Sequence, residues 1–447
     1  MSNYKGLFVL LTIIITCTQL ATCGECPSSS PCSCSGRDIK CDAKNLISVP
    51  PLVGAPNTTY RLFLNRNPNL VIGDNSFSNI TLEYVSLDSC RNISISSNAF
   101  KNQRKTLKEL YISNTDLTKV PEELKDLEAL QSLHIKSNKM QQWDLLLMEK
   151  LGLRLTTLDI SRNGFTSWPK WLRHMTNLHW LEVSLNTFGM IPHDAFDAFH
   201  LRLNYLDIAE TGISDMPTGL QTLHALTGLK VGGRTLYDSS FYENWLPSRI
   251  SSLKSLIIMN THITKIPLGV HQQWSLTSLN IQISDINYVE ENVMPKNLTE
   301  LILAYSLITR IHGGFCNPNL KVLNLGVNKI TSIEKYDLRD CQNLMSLYIR
   351  KNEIHYISPT AFVRLKHLLF LDLQRNRFIH IPKAIGRLHS LSNLYLDGNH
   401  LTCTCQDEWF LQWRYNNTQT EHITGQCENL GIDLKDFKPH CSPIFVG

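Results

Sequence analysis

"LTTLDISRNGF", residues 155 to 165, is the stretch that decides how this chain folds. Its Leu158-Asp159-Ile160 centre alternates apolar and polar side chains, the period of a strand with one face buried, and Asn163 follows three residues after Ile160. The same pattern, Leu-x-x-Leu-x-Leu-x-x-Asn-x-Leu, returns in "LQSLHIKSNKM" (130 to 140), "LKVLNLGVNKI" (320 to 330), "LMSLYIRKNEI" (344 to 354), "LLFLDLQRNRF" (368 to 378) and "LSNLYLDGNHL" (391 to 401). Fifteen segments follow it, with first positions at 59, 82, 107, 130, 155, 178, 203, 226, 253, 276, 298, 320, 344, 368 and 391. A step of about 24 residues is too short for a domain and suits a coil that buries itself against its neighbours.

Each coil then supplies one short strand. The Asn position (Asn138, Asn163, Asn186, Asn328, Asn352, Asn376, Asn399) turns the chain inward, and its amide can satisfy backbone groups of adjacent coils. Between these runs the position is held by Thr211, Arg234, Thr261, Ser284 and Ser306, which predicts weaker stacking or a local change of curvature there. Pro121, Pro169, Pro192, Pro217, Pro267 and Pro382 all fall at position 15 of their repeats. Proline holds its predecessor extended, so the returning side of each coil should be a short extended or single-turn segment rather than a long helix.

The 447 residues exceed what one compact core supports, and stacked coils remove the difficulty because each touches only its neighbours. The formal net charge is +4 with Lys and Arg scattered along the chain, which points to neither nucleic acid nor an anionic membrane as partner. The first residues, "MSNYKGLFVLLTIIITCTQLATCGE", carry one Lys, an apolar run from Leu7 to Ile15 and small residues at Ala21 and Cys23. Residues 1–23 therefore read as a signal peptide, and the mature chain is expected to be exported and left without a membrane segment.

Export places the remaining cysteines in an oxidising compartment, where thiols pair. Cys26, Cys32, Cys34 and Cys41 precede the repeats, and Cys403, Cys405, Cys427 and Cys441 follow them. A stacked array exposes the apolar interior of its end coils, and Trp409, Phe410, Leu411 and Trp413, at helical spacing after Cys403 and Cys405, suit a lid. A zinc site would need four closely spaced ligands, so the cysteines read as staples and no metal is expected. Cys316 and Cys341 occupy nearly equivalent places on adjacent coils, as either a disulfide or two buried thiols. Cys90 stands at an Asn position and reads as a free buried thiol.

Repeats flanked by such cysteine groups resemble extracellular leucine-rich-repeat proteins, similar in layout to Slit repeat domains, Toll-type receptor ectodomains and chaoptin-like adhesion proteins. The resemblance implies an α/β solenoid, a leucine-rich-repeat horseshoe with a parallel concave sheet and short turns or single-turn helices on the convex side. It implies an N-terminal cysteine cap over residues 24–58, repeats over 59–401 and a C-terminal cysteine cap over 402–447. The family's pairing carries over as Cys26 to Cys34, Cys32 to Cys41, Cys403 to Cys427 and Cys405 to Cys441. It also implies a secreted, extracellular module that binds a protein ligand or receptor on its concave face, in adhesion, guidance or immune recognition.

The outward columns of that face supply the candidate contacts. Asp159, Glu182 and Asp207 form an acidic column beside Trp180 and Tyr205, suited to a basic partner or simply solvated. Further on the columns turn apolar with Ile257, Met259, Ile283, Ile302, Tyr305, Val322 and Val327. Tyr348, Phe370 and Tyr395 follow, with Arg350, Lys351 and Arg375, an aromatic and basic mix typical of interface hot spots. Glycosylation sequons at Asn57, Asn79, Asn92, Asn297 and Asn416 avoid the outward strand positions. A Ser161, His134 and Asp159 group is the nearest approach to a catalytic set, but no nucleophile elbow, phosphate loop or His-Glu-x-x-His accompanies it, so neither an enzyme nor a cofactor is expected. The alternatives are the ectodomain of a membrane receptor and an extracellular-matrix component. The matrix reading suffers from the absence of an acidic Ser-Gly segment before Cys26.

Overall fold

The structure, a computed structural model, describes residues 26–28, 31–140, 142–241, 245–246, 252–290 and 293–438. The expected signal peptide and Cys441 lie outside these residues. The chain divides into two compact units, one running to Gly164 and including Lys170–Glu182, the other comprising Phe165–Pro169 and the residues from Val183 onward.

In the first unit the strands Ser33–Ser35 and Asp38–Lys40 form an antiparallel hairpin. Asp38–Lys40 then pairs in parallel with Thr59–Phe63, which is followed in order by Thr81–Ser86, Glu109–Tyr111, Ser132–His134, Thr157–Asp159 and Trp180–Glu182. The second unit repeats the arrangement from Tyr205–Asp207 through Gly228–Gly232, Ser255–Met259, Ser278–Gln282, Glu300–Ile302, Val322–Asn324, Ser346–Tyr348, Phe370–Asp372 and Asn393–Tyr395. Within each unit every repeat strand pairs with the equivalent strand of the next coil, so the sheet in each unit is the parallel sheet of a leucine-rich-repeat solenoid. Successive Leu positions stack: Leu133 lies beside Leu158, and Leu347 beside Leu371, all four fully buried. Each such burial stabilises by about 1.5–3 kcal/mol.

The Asn positions bond as the sequence predicts. Asn352 Nδ2 donates to Leu325 O of the preceding coil at 2.9 Å and to Ile349 O of its own at 3.1 Å, while its Oδ1 accepts from Ile330 N at 3.0 Å. Asn376 and Asn399 repeat these contacts one and two coils on. Where the position is hydroxylic the links thin out: Thr211 Oγ1 reaches only Ile208 O of its own coil, and Ser284 and Ser306 bond to each other at 2.9 Å. Cys90 is the free buried thiol expected, donating to Leu64 O at 3.0 Å, and burial raises its pKa.

The returning sides are mostly single turns of 3-10 helix beginning after the prolines, at Glu122–Asp126, Lys170–His174, Thr218–Thr222 and Lys383–Arg387. One coil departs from that expectation with an α-helix at Leu145–Gly152. Position 15 of that repeat is Asp144, not Pro, and its carboxylate caps the helix by accepting from Leu147 N at 2.8 Å.

Disulfides join Cys26 to Cys34, Cys32 to Cys41 and Cys403 to Cys427. Cys405 is disulfide-bonded as well. Cys316 and Cys341 are also bonded, their Cα atoms 5.1 Å apart, which resolves the choice between a bridge and two thiols. The C-terminal lid is the helix Glu408–Asn416, with Phe410 and Trp413 buried and Trp413 Nε1 donating to Leu388 O at 2.9 Å. Beyond the helix the strand His422–Thr424 joins the sheet in parallel with Asn393–Tyr395. Its sequence carries no leucine signature, so repeat counting alone ends one strand early.

Candidate functional site

Side chains at the third and fifth positions of each repeat stand on the open face of the sheet. In the second unit, Tyr348, Phe370 and Tyr395 meet there. Strand register sets Phe370 opposite Ser346 and Asn393, and Asp372 opposite Tyr348 and Tyr395, so the two tyrosines lean diagonally onto the phenylalanine. Ring centroids are 4.7 Å apart for Tyr348–Phe370 and 5.0 Å for Phe370–Tyr395, within the range of favourable aromatic pairs. All three are half-buried, each shielded by its neighbour. A groove of about 390 Å3 runs beside them, lined also by Asn324, Arg350, Asp372 and Gln374. Arg350 is exposed and makes no ion pair among the described residues. Asp372 lies at the floor, accepting from Gln374 N at 3.0 Å, and burial raises its pKa despite that bond.

Lys351 and Arg375, expected in the same cluster, sit elsewhere. Both have left-handed backbone, with φ of 52° and 53°, in the turn that follows each strand and precedes the ladder Asn. Ile283, Tyr305 and Val327 share that conformation, with φ of 54°, 56° and 58°. They belong to the rim of the sheet, not to its strand face, and the expected continuous apolar surface is thereby divided: Ile257, Met259, Ile302 and Val322 are half-buried on the strands, whereas Ile283 and Tyr305 are exposed on the turns. The sequence pattern counts positions but does not show where the backbone reverses its hand. β-branched residues seldom adopt this conformation, so the fold imposes it against local preference.

The acidic column also differs from expectation. Asp159 is 1% exposed and Asp207 2%, so neither presents a free carboxylate. Asp207 Oδ2 accepts from Lys230 Nζ at 2.8 Å across adjacent strands. Asp159 accepts from Ser161 N at 3.0 Å and lies 3.7 Å from Lys136 and 3.8 Å from His134. Burial opposes ionisation of Asp159, but the bonds from His134 and Ser161 outweigh it, and its pKa is lowered. The chain itself compensates these charges, which removes the argument for a basic partner. Glu182, half-buried, accepts from Trp180 Nε1 at 2.8 Å, and Tyr205 is half-buried in the second unit.

A second aromatic row on the open face of the first unit was missed. Phe63, Tyr84, Tyr111 and His134 stack at successive centroid distances of 5.0, 5.2 and 4.1 Å, and the Arg61 guanidinium lies over Phe63 and Tyr84. Burial pushes the Tyr111 phenol up to about 12. These residues occupy the third and fifth positions of the first four repeats, so reading those columns from residue 61 rather than from Asp159 would have found them.

The catalytic grouping changes in detail. Ser132, not Ser161, approaches His134, with Oγ 3.0 Å from Nε2. The amides nearby are committed to the ladder: Ser132 N donates to Lys108 O at 3.0 Å and Ile135 N to Asp159 O at 2.9 Å. These two amides are therefore not available as oxyanion donors beside the hydroxyl. Among the described residues no cluster of His, Cys, Asp and Glu could hold a metal ion, and no helix is long and apolar enough to cross a membrane.

Comparison with known proteins agrees with this architecture. A "Leucine rich repeat" family model matches residues 80–140, 296–344 and 342–401, and a second of the same description matches 154–175. The rat (Rattus norvegicus) leucine-rich repeat-containing G-protein coupled receptor 5 is 32% identical over 31% of this chain and 15% of its own length. The matched region is thus far less than two thirds of that relative. Among solved structures, a chain of the Drosophila Toll–Spatzle complex superposes with a TM-score of 0.57 at 18% identity, covering 77% of this chain and 55% of that one. A Leptospira interrogans LRR protein gives 0.54 at 19% identity, over 87% of this chain and 95% of that one. At such identities the likeness is one of fold.

Proposed function

We propose that this leucine-rich-repeat protein is an extracellular recognition module that captures a protein ligand on the open face of its sheet, with Tyr348, Phe370 and Tyr395 at the centre of the contact. The observation that carries the reading is the aromatic cluster itself: two tyrosine rings packed on a central phenylalanine, presented over a groove and flanked by an Arg that makes no ion pair among the described residues. Rigid aromatic anchors beside Arg are the composition that dominates binding energy at protein interfaces. Ile302 and Val322 continue the face toward the preceding strands.

Export is supported by the N-terminal sequence and by disulfides that oxidising compartments maintain. The five sequon asparagines are all exposed, which suits glycosylation of the secreted chain. The receptor identity of one relative, and the ligand complex in which a structural neighbour was solved, favour a second reading in which this chain forms the ligand-binding ectodomain of a receptor.

The test is a screen of the full chain against secreted and cell-surface ectodomains, repeated with Phe370→Ala and Tyr395→Ala. The expected result is at least one ligand whose affinity falls about 30-fold in each variant, the scale of a hot-spot loss near 2 kcal/mol. Ligands that bind both variants as tightly as the parent chain would place the contact elsewhere.

A further inference from the structure

Lys and Arg look evenly spread along the sequence, but coil stacking gathers part of them on the side of the second unit away from the strands. Two clefts lie next to one another there. One, of about 470 Å3, is lined by Lys335, Tyr336 and Arg339 from one coil and by Arg364 from the next. The other, of about 300 Å3, is lined by the same Arg364 with Lys366, His367, Gln342 and Asn343. Both volumes fall in the range of small-ligand sites. The five basic side chains are exposed. Arg339 has a carboxylate beside it, Asp340 at 3.3 Å, but Arg364 and Lys366 make no ion pair among the described residues. Lys335 rests over the Tyr336 ring at 4.9 Å.

The basic character continues to the following coil. Lys383 and Arg387 hold the repeat positions of Lys335 and Arg339 two coils on, and both are exposed. From His355 to Tyr395 the one acidic residue is Asp372, and it is buried on the opposite, strand-bearing side. Like charges set side by side on a fixed scaffold repel, and whereas Asp340 relieves Arg339, no ion pair among the described residues relieves Arg364 and Lys366. The scaffold beneath is clamped: Cys341, two residues after Arg339, is bonded to Cys316 of the adjacent coil.

We propose that this surface binds a sulfated glycosaminoglycan. A track of cations across three coils fits a linear polyanion better than a single small anion. Arg364, shared by both clefts, can pair bidentately with a sulfate in either. Polar side groups at the edges, the Thr360 hydroxyl of the first cleft and the Gln342 and Asn343 amides of the second, suit the hydroxyls of a sugar chain. The inference rests on the extracellular reading above, where such polymers are met, but uses the opposite side of the solenoid from the proposed protein ligand.

The experiment is chromatography of the full secreted chain on immobilised heparin, with affinity measured by surface plasmon resonance across a range of NaCl. The parent chain should bind heparin with affinity that falls steeply with salt, as counterion release requires. Arg364→Glu combined with Lys366→Glu should weaken binding at least 10-fold with an unchanged unfolding temperature, whereas Lys101→Glu with Lys105→Glu, an equal charge change in the first unit, should weaken it less than 2-fold. Binding to desulfated heparin should be lost. The proposal is overturned if the two double variants weaken binding equally, if desulfated heparin binds as well as heparin, or if the parent binds phosphatidylserine vesicles in preference to heparin. Phe370→Ala should leave heparin binding intact, so failure of the protein-ligand reading and failure of this one are separable.

Discussion

Replacement of Asn352 by Ala tests the physical premise on which the fold rests. Asn352 is 7% exposed, and its carboxamide makes three close backbone bonds, to Leu325 O at 2.9 Å, Ile349 O at 3.1 Å and Ile330 N at 3.0 Å, besides a longer one to Arg350 O at 3.4 Å. Ala would leave these groups buried and short of a partner. A buried orphan costs about 1–3 kcal/mol, and carbonyls with a second lone pair fall at the lower end, so the total should be about 3 kcal/mol. For a unit of this size, where 1 kcal/mol moves the melting temperature by about 2–4 °C, that corresponds to a fall of roughly 6–12 °C. Calorimetry of the full chain measures the shift, and hydrogen exchange locates it. The Ile330 amide should lose protection, while Ile354 N, held by Asn376 Oδ1 at 3.1 Å, should lose less. Asn352→Asp keeps the acceptor but removes both donors and buries a charge, so it should be no more stable than Asn352→Ala. A loss below about 0.5 kcal/mol, or unchanged exchange at Ile330, would refute the view that the Asn ladder holds adjacent coils together.

Two further outcomes follow from single contacts. Asp372 has its pKa raised, chiefly by burial, so its ionisation in the folded state costs stability above the ordinary Asp range; Asp372→Asn should therefore be more stable than the parent at pH 7, and the difference should vanish as the pH falls below about 4 in paired urea titrations. Cys316→Ala with Cys341→Ala opens a link across 25 residues and should cost about 3 kcal/mol in non-reducing denaturation, whereas the same pair should show no difference from the parent once both are reduced.

Much of the architecture is legible one coil at a time. The alternation in Leu158-Asp159-Ile160 states which side chain is buried without reference to anything distant, and Pro121 or Pro382 states where the returning turn begins. The Tyr348, Phe370 and Tyr395 cluster is readable for the same reason: fixed repeat positions become neighbours once strands pair in register. The first-unit row of Phe63, Tyr84, Tyr111 and His134 obeys the same rule and needed only a wider reading of the columns.

What the sequence determined by itself is thus whatever depends on local period: the strand, the buried Leu, the ladder Asn and the cysteine groups at either end of the repeats. Tertiary structure alone decided the charge and exposure of the outward positions. Asp207 looks like a free carboxylate until Lys230, 23 residues away, is laid across it at 2.8 Å. Ile283 looks like a strand residue until the turn places it at a φ of 54°. Arg364 looks like one scattered cation until the preceding coil brings Lys335 and Arg339 beside it. A side chain's electrostatic surroundings come from neighbouring coils, and those neighbours are specified by stacking, not by adjacency along the chain.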